Sequence, residues 1–185
     1  MSRTEVRLTG FGGQGIILAA YILGKAAALY DKKHATFTQS YGPESRGGAC
    51  AAQVVLSDEP VQYPHLIDPS VVVIMSQEAY NKYAPTLRAG NKVLVDEDLV
   101  ILGELPDGVR IYSIPSTRIA EVEIGRKMVA NIVMVGFLAA VAGIVTEDSM
   151  RRAVKESVPK GTEDLNLKAF QAGLDYGKKL LESRA

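Results

Sequence analysis

The spacing of apolar residues changes period several times along the chain, and each change marks an element. Val6 and Leu8 alternate with polar neighbours, a glycine-rich turn follows, and Ile16 to Tyr30 is almost continuously apolar. That order predicts strand, turn and helix. After the polar turn Asp31-Lys32-Lys33, the β-branched and aromatic run His34–Ser40 reads as a second strand. Cys50–Ser57 reads as a third, ended by Asp58-Glu59-Pro60. Val71–Met75 is unbroken apolar, as expected of a strand buried on both faces of a parallel sheet. Ser76 is suited to cap a helix over Gln77–Tyr83, with Pro85 and Gly90 limiting it. Lys92–Val95 and Val109–Ile114 are further strands, and Pro115 opens another helix.

The C-terminal third changes character. From Met128 to Val145 Asn131 is the one hydrogen-bonding side chain. The length is near the ~18–20 residues that span a bilayer. Its glycines and alanines, flanked by Arg126-Lys127 and Thr146-Glu147-Asp148, instead predict a core or subunit-interface helix. Thr146 is placed to cap the next helix, which Pro159 closes, and Glu163–Ser183 carries Phe170, Leu174 and Leu181 along one side. Strands alternating with helices predict an α/β, Rossmann-like three-layer fold with a mostly parallel sheet and a C-terminal helical part. With no repeat, low-complexity segment or linker, residues 1–185 read as a single domain.

Composition narrows the function classes. Lys plus Arg (21) balance Asp plus Glu (21) and the pI is near 6.7, so no electrostatic footprint for nucleic acid or an acidic membrane is present. The N-terminus, with Arg3, Glu5 and Arg7, leads into a strand rather than a signal peptide, and a cytoplasmic protein is expected. One cysteine, Cys50, rules out an internal disulfide framework and leaves no C-x-x-C pair for zinc or an iron–sulfur cluster. With no His or Lys near it in sequence, Cys50 reads as a small buried residue rather than a nucleophile, and His65, between two prolines in a loop, as structural.

The chemistry gathers at two glycine-rich loops. Gly10, Gly12 and Gly15 fit G-x-G-x-x-G between a strand and a helix, where backbone can approach a ligand and helix N–H groups can face an anion. A dinucleotide fold also requires an acid at the end of its second strand to hold the ribose. Here that end is Thr38-Gln39-Ser40, and Asp31, at suitable spacing, precedes the strand. Both facts count against NAD. The second loop, Tyr41-Gly42-Pro43-Glu44-Ser45-Arg46-Gly47-Gly48, places hydroxyls beside a guanidinium suited to phosphate or carboxylate. A surface turn with a solvated arginine accounts for that spacing equally well. Asp96-Glu97-Asp98 has the composition of a metal site, but successive acids at a strand end face different ways, so a solvated turn is expected.

The stretches GFGGQG, TQSYGPESRGG and KMVANIVMVGFLAAV, in this order, resemble the gamma subunit of 2-oxoacid:ferredoxin oxidoreductases. The resemblance covers nearly the whole chain. The S-Y-G-P-E-x-R-G-G form resembles the 2-oxoglutarate and branched-chain oxoacid branch more than the pyruvate branch. It implies a CoA-dependent oxidative decarboxylation of a 2-oxoacid to acyl-CoA, carbon dioxide and reduced ferredoxin. It also implies that thiamine diphosphate with Mg2+ and the [4Fe-4S] clusters are held by partners: thiamine-binding alpha and beta subunits and a ferredoxin-like delta subunit. No cofactor is then held tightly by this chain, CoA is a substrate of the complex, ferredoxin is its electron acceptor, and the chain is inactive alone. The expected binding surface is Gly12, Gly13, Gln14, Gly15, Ser40, Tyr41, Arg46, Gly47 and Gly48, facing either CoA phosphates or the thiamine-binding subunit. Two other classes stay open: a free-standing Rossmann-like oxidoreductase with its own NAD or flavin, and a non-catalytic nucleotide-sensing or scaffold module using residues 128–145 as a partner face.

Overall fold

A computed structural model describes residues 3–41 and 49–184. Six strands form one sheet in the order β2-β3-β1-β4-β5-β6. They are β1 (Arg3–Phe11), β2 (His34–Tyr41), β3 (Ala49–Ser57), β4 (Val71–Ile74), β5 (Lys92–Asp96) and β6 (Arg110–Ile114). β1, β4, β5 and β6 are parallel neighbours, while β3 runs antiparallel to both β1 and β2. The sheet is thus mostly parallel in direction, with β3 the one reversed strand.

The helices are α1 (Ile16–Lys25), α2 (Gln77–Tyr83), the one-turn α3 (Ser116–Arg118), α4 (Ala130–Ala142), α5 (Glu147–Ser157) and α6 (Glu163–Glu182). The first apolar run is not α-helical to its end, because Ala26–Tyr30 widens into a π turn. Strand alternation divides the core. Val71, Val73, Leu94 and Ile114 face α1, α4, α5 and α6, whereas Val72, Ile74, Val93 and Val95 face Ala79 and Tyr80 of α2 with Leu87 and Val100. The three layers are therefore unequal, and the C-terminal helical part lies on the thick side.

The run from Met128 resolves into a core helix. All but one of the α4 residues are buried, and among the described residues no helix is long and apolar enough to cross a membrane. α4 and α6 approach so closely that a Cβ on Gly173 would lie 1.8 Å from the Val133 carbonyl oxygen, and one on Gly136 2.0 Å from that of Phe170. At the edge of the sheet where the parallel strands begin, charged side chains finish the helices. Lys92 Nζ donates to the carbonyls of Val141 and Ala142, at 3.1 and 3.3 Å, and Lys33 Nζ to that of Ile144 at 3.0 Å. The Lys92 ammonium satisfies carbonyls that the end of α4 leaves unpaired, and the Lys33 ammonium one in the connection that follows. The expected Ser76 and Thr146 caps are both present, on Ala79 N–H and Ser149 N–H at 3.2 and 3.3 Å.

Candidate functional site

The glycine loop leaves β1 at the edge where the parallel strands end. Gly13 and Gly15 adopt φ of +96° and +74°, left-handed values that side chains with a Cβ resist. The four glycines of the loop divide by environment. A Cβ on Gly10 would lie 2.6 Å from Gln14 Oε1, and one on Gly15 2.3 Å from Asn131 Nδ2, so these two are small because the protein packs on them. Among the described residues a Cβ on Gly12 or Gly13 would meet nothing within 4 Å, and both are exposed. They leave bare backbone facing outward.

Gln14 and Asn131 hold the inner side of this loop. Gln14 Oε1 accepts from Phe11 N–H at 2.5 Å, and Nε2 donates to the Met75 carbonyl, just past β4, at 2.8 Å. Asn131, 4% exposed at the start of α4, donates Nδ2–H to the Gly15 carbonyl at 3.2 Å. Asn131 was absent from the expected site. Its isolation as a hydrogen-bonding residue in an apolar run was the available signal, because a buried amide needs a partner. Beside the loop a cavity of about 280 Å³ is lined by Gly13, Gln14, Met75, Thr117, Lys127 and Met128, among others. Phe11 (42% exposed) and Met128 (91%) add apolar surface, and Lys127 adds a positive charge, at the same edge.

The second loop leaves and re-enters next to the first. Tyr41 and Gly10 both pair with Cys50, and Ala49 pairs with Phe11, so the chain joining β2 to β3 departs and returns at this edge. Ser40 and Tyr41 close β2 there, but β3 lies between them and the glycine loop. Arg46, Gly47 and Gly48 lie outside the described residues.

This topology bears on the dinucleotide reading. The strand beside β1 is the reversed β3, which presents its first residues, Ala49 and Cys50, where a dinucleotide fold places the acid-bearing end of a parallel strand. Asp31 lies at the other edge of the sheet. Its carboxylate accepts from Thr146 N–H and Oγ1–H, both at 2.7 Å, and from Ser149 Oγ–H, bracing the start of α5. Burial pushes that carboxyl up, but the bonds from Ser149 and Thr146, with the Lys33 charge, leave it below the usual carboxylate range.

The acidic triplet is a correction. Asp96 is fully buried rather than solvated: Oδ2 accepts from Ser116 Oγ–H, Thr117 Oγ1–H and Thr117 N–H at 2.6, 2.6 and 3.0 Å, starting α3. Glu97 and Asp98 turn instead to Arg118. Asp96 turns away from the other two, which share one guanidinium, and the buried member is met by neutral donors. Among the described residues no cluster of three or more His, Cys, Asp or Glu is placed to hold a metal. With Cys50 as its sole thiol, the chain also lacks the donor set of an iron–sulfur cluster. Burial pushes the Cys50 thiol up, disfavouring the thiolate that a nucleophile requires.

The pyruvate ferredoxin/flavodoxin oxidoreductase family model matches residues 5–176. The chain belongs to this family. Among family relatives, the 2-oxoglutarate synthase subunit KorC of Methanocaldococcus jannaschii is 55% identical over 179 residues, covering 96% of each chain. A keto/oxoacid ferredoxin oxidoreductase gamma subunit from Geobacter sulfurreducens superposes with a TM-score of 0.83 at 39% identity, covering 94% of this chain and 98% of that one. The fold recurs inside a longer polypeptide, the 2-oxoglutarate:ferredoxin oxidoreductase of Magnetococcus marinus, with a TM-score of 0.85 and 23% identity. There it covers 97% of this chain and 32% of that one. The gamma-subunit resemblance drawn from the two loops and the α4 stretch is thus upheld, as are the α/β, mostly parallel fold and the oxidoreductase class. Family proteins of this type are subunits of multi-subunit 2-oxoacid:ferredoxin oxidoreductases, so the chain functions with partner subunits.

Proposed function

We propose that this chain is the gamma subunit of a cytoplasmic 2-oxoglutarate:ferredoxin oxidoreductase, inactive until assembled with thiamine-binding alpha and beta subunits and a ferredoxin-like delta subunit. The observation that carries this reading is the 55% identity, across 96% of both chains, to a subunit named for 2-oxoglutarate synthase. In the complex, the 2-oxoacid is cleaved at its C1–C2 bond, carbon dioxide leaves, the acyl group passes to the CoA thiol, and the released electron pair reduces ferredoxin. Thiamine diphosphate with Mg2+ and the [4Fe-4S] clusters belong to the partners in this reading, which the single cysteine and the lack of a metal-binding cluster among the described residues support.

This subunit contributes the edge built from Gly12, Gly13 and Lys127, extended by the second loop with Arg46. Bare backbone at the start of α1 and the Lys127 cation suit the phosphates of CoA, and Arg46 enters this reading from the sequence alone. A second reading, in which the same edge docks against a thiamine-binding subunit, is favoured by the exposed apolar Phe11 and Met128. One experiment separates them. With Arg46→Ala in the assembled complex, a raised KM for CoA with intact assembly supports the CoA contact. Weakened assembly with unchanged KM supports docking, and neither change removes the second loop from the site.

A further inference from the structure

Gln14 sits within the exposed glycine loop, yet both ends of its amide are spent on the protein's own backbone. Phe11 N–H and the Met75 carbonyl belong to the ends of two neighbouring parallel strands, β1 and β4, so one planar amide ties the loop across the seam between them. Gln14 N–H closes the turn on the Phe11 carbonyl at 3.1 Å. Gly10 is kept without a side chain by the same arrangement, its Cβ position lying against Oε1. The inner side of the loop is therefore filled, and the open backbone at Gly12 and Gly13 is turned outward.

We infer that Gln14 is a positioning residue of the assembled enzyme: its amide holds the glycine loop in one conformation, so that Gly12 and Gly13 meet CoA or the partner surface already shaped. The inference rests on the proposed reading of this edge as a contact face. A loop with four glycines has wide conformational freedom, and ordering it at the moment of contact would weaken binding. The tie requires an acceptor and a donor on one planar group, which a neutral amide supplies. A protonated carboxyl also supplies both, a carboxylate lacks the donor, and a thioether has neither in usable form.

Two variants test it in the full chain and in the assembled complex. Gln14→Met keeps the side-chain length and loses both bonds. It is expected to raise KM for CoA, or the dissociation constant for assembly, on the order of tenfold, as fits the loss of one or two neutral hydrogen bonds. The thermal midpoint of the free chain should fall by only a few degrees, as fits the loss of the same bonds. Gln14→Glu should behave like Gln14→Met at neutral and alkaline pH and recover as pH falls through the new carboxyl's titration, relative to native enzyme at each pH. Amide hydrogen exchange over Gly12–Gly15 in the free chain should speed up in Gln14→Met. Unchanged exchange overturns the role given to Gln14. Faster exchange with both constants unchanged also overturns it, and shows that the fault lies in the contact-face reading rather than in the tie. A Gln14→Glu enzyme that never recovers, with a thermal midpoint lowered beyond those few degrees, reduces Gln14 to a structural residue and overturns the proposal.

Discussion

The two edges of the sheet handle similar groups in opposite ways. Where the parallel strands begin, Asp31, Lys33 and Lys92 are spent on backbone and side chains of α4 and α5. Along the neighbouring α4–α6 seam, Gly136 and Gly173 lack side chains because another helix backbone occupies the space. Where the parallel strands end, Gly12 and Gly13 lack side chains with nothing against them among the described residues. Glycine in the seam is explained by the chain's own packing, as are Gly10 and Gly15 in the loop. Gly13 is required by its φ of +96°, and Gly12 is left with no such reason among the described residues. On the proposed function, the contrast separates the part of the sequence that makes the fold from the part given to contacts in the complex.

The largest effect expected from breaking this contrast is in the seam. Gly173→Ala would force a methyl onto the Val133 carbonyl, and since backbone cannot yield as a flexible side chain does, the loss should be about 3 kcal/mol or more. Denaturant unfolding of the purified chain would measure it, and a loss below about 1 kcal/mol would mean that α4 and α6 separate easily. A smaller, pH-dependent effect belongs to Asp31. Its folded-state carboxyl titrates below the unfolded one, so it adds stability above the unfolded value near ~4, and that contribution fades as pH falls through the folded value. The stability difference between the native chain and Asp31→Asn should thus shrink on acidification below about pH 4. A difference that stays constant with pH would assign the effect to hydrogen-bond geometry rather than charge.

Local features were legible in the sequence at both edges. Val71–Met75, Ser76 and Thr146 announced themselves through apolar continuity and capping chemistry, which are local and therefore readable. The place of β3 was not readable. Its reversal between β2 and β1 depends on which strands pair, and periodicity carries no record of pairing. Its insertion also moved the Thr38-Gln39-Ser40 strand end away from β1, so the argument against NAD now stands on Ala49 and Cys50. Asp96 was misread for a related reason. Its partners, Ser116 and Thr117, lie twenty and twenty-one residues away and come together only once β5 and β6 are side by side. At the loop, G-x-G-x-x-G revealed that backbone approaches something, but not that two of its glycines make room for Gln14, Ile16 and Asn131.

The central claim, that the outward glycines serve contacts beyond this chain, is tested most directly by Gly12→Val. The measurement is CoA-dependent, 2-oxoglutarate-driven ferredoxin reduction by the assembled complex, read beside the thermal midpoint of the isolated subunit. Among the described residues a Cβ at Gly12 meets nothing, so the midpoint should stay near the native value, with stability within the ±0.5 kcal/mol usual for surface substitutions. Assembly or the KM for CoA should deteriorate. Full activity at native affinity and native assembly would contradict the account, because the open space beside Gly12 would then be empty in the working enzyme as well.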